Sequence, residues 1–145
     1  MRKKILITLL LVVALSLLAA CGGDDGGDDG AEAVGNAANG EELYMGTTVG
    51  ASSAPGCVTC HSVEPTDDPL QPSPVGPSHF GVADRAGDYV EGMSAEEYLR
   101  ESIVEPDAHL VEGFQPGVMY QNYAEDLTER EIDNLVAYLL TLEGE

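Results

Sequence analysis

Cys57-Val58-Thr59-Cys60-His61 sets two thiols and an imidazole within five residues, the spacing used to attach a c-type haem covalently. Laid on one helical turn, Cys57, Cys60 and His61 fall at i, i+3 and i+4, so all three project from the same face. Such a face serves one reaction and one bond: the thiols add to the porphyrin vinyl groups as thioethers, and the histidine becomes the proximal ligand of the iron. Pro55-Gly56 just upstream is a turn signal that opens the segment.

Two other chemistries use a Cys-x-x-Cys pair. A zinc site needs two further ligands at short spacing, but the only other cysteine, Cys21, belongs to a separate segment. A thioredoxin-like redox pair needs a preceding strand within a βαβ pattern, and no such pattern surrounds these residues. The histidine next to Cys60 decides for haem.

The elements that must position this turn read as helices and long loops. Asn39 is placed to cap a short helix, with Glu42 three residues later. Ser94 and Glu97 form a capping box, Met93 and Tyr98 the hydrophobic staple around it, and Tyr98, Leu99, Ser102 and Ile103 mark one face until Pro106 stops the helix. Thr128 and Glu131 repeat the box and Leu127 and Ile132 the staple. Ile132, Leu135, Val136, Leu139 and Leu140 form the inner face of this last helix. Between them, Pro65, Pro69, Pro72, Pro74 and Pro77 punctuate a stretch that no helix or strand interior would tolerate. No sustained strand alternation and no internal repeat occurs, so the expected class is all-α, with about four short helices. Met45 and Met93 read as core or staple residues.

The chain of 145 residues has no tryptophan, and its only phenylalanines are Phe80 and Phe114. The polypeptide alone supplies few aromatics for a core, and a haem would fill it. A formal charge of −20 argues against nucleic-acid binding, which requires Lys and Arg to neutralise phosphates.

Arg2-Lys3-Lys4 followed by the apolar run Ile5 to Ala20 reads as a secretory signal peptide, residues 1–20, and is too short and wrongly flanked for an ordinary transmembrane helix. Leu18-Ala19-Ala20-Cys21 resembles the lipobox of bacterial lipoproteins, which implies lipidation of Cys21 and anchoring on the outer face of the cytoplasmic membrane. Residues 21–39 then form an acylated cysteine and a flexible acidic tether, rich in Gly and Asp, whose root-mean-square reach is about 24 Å. Residues 40–145 are the folded domain.

From Gly40 to Leu142 the chain resembles a class I c-type cytochrome. Gly40 and Tyr44 match the small and aromatic residues of the family's N-terminal helix, which cross Leu135 and Tyr138 of the final helix. Val75-Gly76-Pro77-Ser78 with Gly81 is similar to the Gly-Pro-x-Leu-x-Gly loop, with His79 in the leucine position; the resemblance implies that the Pro77 carbonyl accepts the N–H of His61. Glu112 to Met119 resembles the loop of the distal methionine, although Tyr120 stands where a proline often follows. Met119 is then the sixth ligand, the alternatives being a gap-filling core methionine or ligation by His79 or His109. Gly81 to Gly87 resembles the propionate-binding loop with Arg85 as its cation. The other reading of Arg85 is a surface ion pair with Asp84 or Asp88.

The resemblance implies an electron-transfer protein rather than an enzyme, carrying one haem c in a respiratory or photosynthetic chain. It implies either a subunit of a quinol-oxidising complex such as alternative complex III or a donor to a terminal oxidase. A haem-based NO or CO sensor, or a peroxidase using His79 or His109, is the alternative and needs a displaceable sixth ligand. Beyond Cys21 only Arg85, Arg100 and Arg130 are basic, against 26 acids, so the expected redox partner presents a basic docking patch.

Overall fold

The computed structural model describes residues 35–70 and 75–144. The signal peptide, Cys21, most of the tether, Pro72 and Pro74 lie outside the described residues. Among these residues five α-helices follow in order: α1 (Ala37–Met45), α2 (Val82–Arg85), α3 (Ala95–Val104), α4 (Tyr123–Asp126) and α5 (Glu129–Leu139). Two 3₁₀ turns, Cys57–Thr59 and Ala86–Asp88, and one pair of two-residue strands complete the list; β1 (Thr48–Val49) runs antiparallel to β2 (Ala54–Pro55). The all-α class therefore holds, with one more helix than expected. Among the described residues no helix is long and apolar enough to cross a membrane.

The first helix departs from the sequence reading at its start. Asn36, not Asn39, is the cap: its side chain accepts the Asn39 backbone N–H at 3.0 Å. Its own backbone N–H donates to Asn134 Oδ1 at 2.6 Å, which ties the start of α1 to α5. Residues 37–39, read as tether, are thus helical, because a partner on α5 completes a cap that local sequence could not reveal. Met45 is a second correction. It stands at the end of α1 with 49 % of its surface exposed, since the buried face of that helix is used by Gly40 and Tyr44.

Both capping boxes form as expected. Ser94 Oγ and Thr128 Oγ1 accept the backbone N–H groups of Glu97 and Glu131, whose carboxylates reach back to the cap N–H groups at 2.8 and 2.7 Å. A cap contributes about 1 kcal/mol, whereas each fully buried aliphatic side chain contributes about 1.5–3 kcal/mol. Ile132, Leu135, Val136 and Leu139 are all buried, so burial rather than capping holds α5 in the core. The caps decide where the helix begins.

The α1–α5 crossing is the main packing contact of the fold. A Cβ on Gly40 would overlap the Asn134 carbonyl, so only glycine lets the two backbones approach this closely. Tyr44, fully buried, packs its ring 5.2 Å from that of Tyr138. The β1–β2 pair then carries the chain from α1 to the Cys57 turn, with Gly56 N–H donating to the Thr47 carbonyl at 3.0 Å.

Candidate functional site

The turn at Cys57 is wound tightly: Thr59 N–H donates to the Gly56 carbonyl at 3.0 Å, and Cys60 and His61 N–H both donate to the Cys57 carbonyl, at 3.1 and 2.9 Å. Thr59 Oγ1 adds a bond to the Gly56 carbonyl at 2.6 Å. Gly56 itself stands in extended conformation. Tyr123 of α4 fastens the entry by donating to the Pro55 carbonyl at 2.5 Å.

The segment after the proline-rich loop lies along this turn. The Cys60 carbonyl accepts Val75 and Gly76 N–H at 3.1 and 2.8 Å, and the Ser62 carbonyl accepts His79 N–H at 2.8 Å. This brings the Pro77 carbonyl to 2.8 Å from His61 Nδ1. A carbonyl can only accept, so Nδ1 carries the proton and Nε2 keeps its lone pair for a metal. Burial also pushes the His61 pKa down, against the opposing effect of the Pro77 bond, which favours the neutral imidazole that ligation requires.

Arg85 makes a contact that sequence reasoning missed. Its guanidinium donates to the carbonyls of Ser78 and Phe80, the latter at 2.6 Å, and its Nε donates to Tyr89 Oη at 3.0 Å. The side chain thereby clamps the loop just after Pro77, and among the described residues it forms no ion pair with Asp84 or Asp88. Three of its five N–H groups are used. A basic residue followed by an aromatic at i+4 on a helical turn was the available signal for the Tyr89 bond; nothing local signalled the carbonyl contacts.

The loop that carries Met119 is held by two carboxylates and one side-chain amide. Asp107 accepts the Gly117 N–H at 2.9 Å, Gln121 Nε2 donates to the Met119 carbonyl at 2.8 Å, and Tyr120 Oη donates to Asp126 at 2.6 Å. His109 Nε2 lies 2.9 Å from Glu101 Oε2. His79 takes a different position: its ring stacks on that of His61, with centroids 4.1 Å apart and planes 14° apart. Burial, with His61 and Arg85 adding to it, holds His79 well below the usual histidine range.

Cys57, Cys60, His61, Pro77, Arg85 and Met119 all line one cavity of about 680 Å³, together with Tyr98, Leu99, Ile103, Leu135 and Leu139. Its size lies within the range of about 300–1,000 Å³ for ligand and cofactor pockets. Cys57 and Cys60 are not joined in a disulfide. Burial pushes the Cys57 thiol up to about 12, the reverse of the depressed value a thiol–disulfide exchange centre needs. Among the described residues no group of three or more His, Cys, Asp and Glu side chains is placed to hold a bare metal ion. The donor set therefore fits a haem: two thiols, an imidazole with its lone pair free, a thioether and a largely apolar wall.

The family model Cytochrome c matches residues 37–143. The chain belongs to the cytochrome c family. Neither the curated proteins nor the solved structures contain a match. As a cytochrome c it is an electron-transfer haem protein, and the covalent haem c of the family is the cofactor that the cavity suits.

Proposed function

We propose that this cytochrome c carries a single haem and passes one electron at a time from a membrane-bound donor to an acceptor on the outer face of the cytoplasmic membrane. The observation that supports this most strongly is the His61 Nδ1 bond to the Pro77 carbonyl, because it leaves Nε2 as the ligating atom in a cavity that also contains both thiols and Met119. When bound, the haem supplies a ferric–ferrous couple. In this reading Cys57 and Cys60 form the thioethers, His61 is the proximal ligand and Met119 the sixth. Methionine ligation raises the potential, while the dense carboxylate surface lowers it. The Pro77 carbonyl fixes the His61 tautomer. Arg85, with two N–H groups left after those used on the loop carbonyls and Tyr89, is the cation for a propionate.

The sensor and peroxidase readings need a distal acid–base group or an easily vacated sixth position. His79 stacks on the ring of the proposed proximal ligand and His109 Nε2 lies 2.9 Å from Glu101 Oε2, so no observation favours either reading. Visible spectra of the holoprotein with and without CO or peroxide test the choice. A ferrous haem inert to CO, and a ferric methionine-to-iron band that disappears in Met119→Ala, are expected; rapid CO uptake or peroxide turnover by the parent protein would overturn the carrier assignment.

The anchor proposed is lipid on Cys21. One acyl chain holds only marginally and two or more hold firmly, at about 0.8 kcal/mol per buried CH₂. Cys21→Ser is expected to move the cytochrome into the soluble fraction, and retention on washed membranes would assign the anchor to the signal segment or to a partner. The partner, in turn, is proposed to be a quinol-oxidising complex or a terminal oxidase with a basic docking patch. Steering between opposite charges weakens once the Debye length falls below about 10 Å. Electron-transfer rates to the isolated partner should therefore fall as salt rises, and a flat profile would mean apolar docking.

A further inference from the structure

His79 occupies the leucine position of the Gly-Pro-x-Leu-x-Gly pattern, so its imidazole is a feature of this chain rather than of the pattern. Two contacts already restrain His61. Its Nδ1 bond to Pro77 holds one edge of the ring, and the Gly76 backbone is so close that an added Cβ would lie 2.7 Å from Nδ1 and 3.0 Å from Nε2. A hydrogen bond to a carbonyl oxygen tolerates a broad range of angles, however, so it does not by itself fix the plane of the ring. A flat surface stacked 14° from parallel does. A leucine in the same place would fill volume without defining a plane.

That surface is itself held at both ends. The His79 backbone N–H donates to the Ser62 carbonyl at 2.8 Å, and its Nδ1 is 3.0 Å from Tyr44 Oη. Tyr44 Oη also lies 3.4 Å from the His61 carbonyl. With His79 Nδ1–H donating to the hydroxyl and the hydroxyl donating to that carbonyl, one tyrosine satisfies both. Tyr44 cannot turn away, because it is fully buried and packs against Tyr138. A continuous line of rings thus runs from Tyr138 on α5 through Tyr44 on α1 to His79 and His61.

We infer that His79, held by Tyr44, is a positioning residue that sets the orientation of the His61 ring plane. The inference rests on His61 being the proximal ligand. The plane of an axial imidazole decides which iron d orbital it raises, so its orientation is read in the ferric g-values and in the spread of the paramagnetically shifted haem methyl resonances. The test uses the holoprotein and His79→Leu, His79→Gln, His79→Phe and Tyr44→Phe variants. Leucine and glutamine remove the flat ring, phenylalanine keeps it, and Tyr44→Phe removes only the hydroxyl.

The expected result is a low-spin optical spectrum in every variant. The largest g-value should move by more than the parent line width in the leucine and glutamine proteins, return towards the parent in the phenylalanine protein, and broaden in Tyr44→Phe. If the leucine protein fails to retain haem, glutamine against phenylalanine decides. Unchanged g-values and methyl shifts in the ring-less variants, equal changes with and without the ring, or an unaltered Tyr44→Phe spectrum would overturn the inference. Failure of the underlying reading has a different signature: the parent itself would lack a low-spin, histidine-ligated haem.

Discussion

With His61 as the proposed proximal ligand, His61→Ala keeps the two thiols and loses that bond, so the expected product is a chain with covalently attached haem whose low-spin, six-coordinate spectrum has disappeared. The mutation removes three things at once. Nε2 is lost as the proposed ligand, the Pro77 carbonyl loses its partner, and the His79 ring loses its stacking surface. Leaving the part-buried Pro77 carbonyl unpaired costs at most about 1–3 kcal/mol, which a core containing Tyr44, Ile132, Leu135 and Val136 at 1 % exposure or less can absorb. The helical signal in circular dichroism should therefore survive while the haem spectrum changes. A mass measurement showing haem on the chain, with an unchanged six-coordinate spectrum, would assign the proximal bond to another residue.

Gly40→Val is expected to have the largest effect on stability. Its Cβ would overlap the Asn134 carbonyl and approach Tyr138 Cβ to 2.8 Å, and both are rigid parts of α5. Overpacking costs about 1–3 kcal/mol, and where backbone must yield the upper end applies, which corresponds to a fall in Tm of about 10 °C or more for a domain of this size. Separation of α1 from α5 also moves Tyr44, so haem retention should fall in parallel. Gly87→Ala is the control, because its new Cβ would meet nothing nearer than Ala95 N at 3.5 Å. Thermal unfolding of the three proteins decides; a Gly40→Val midpoint equal to that of Gly87→Ala would show that the crossing is not tight.

Several features were legible in the sequence because their physics is local. The Cys57–His61 spacing describes one turn, and a capping box closes within four residues. The apolar stripe of α5 repeats with the helical period, so four of the five residues read for its inner face, Ile132, Leu135, Val136 and Leu139, are buried, whereas Leu140 is the partly buried C-cap. Where the reading failed, the deciding contact came from far along the chain. Asn36 rather than Asn39 caps α1 because Asn134 receives its N–H across a separation of 98 residues, and Met45 is exposed because Gly40 and Tyr44 take the inner face.

The same division runs through the site. Residue types and spacing determined by themselves that two thiols and a histidine share one face, that the chain is helical with long loops, and that its surface is acidic. Only the tertiary structure decided which His61 nitrogen keeps its lone pair, because the Pro77 carbonyl is brought there by the pairing of residues 75–79 with 60–62. It alone also decided that Arg85 clamps the Ser78 and Phe80 carbonyls and that His79 lies flat on His61. Hydrogen-bond direction and ring stacking depend on the relative orientation of groups from separate segments, and a sequence specifies that orientation only after every intervening element has packed.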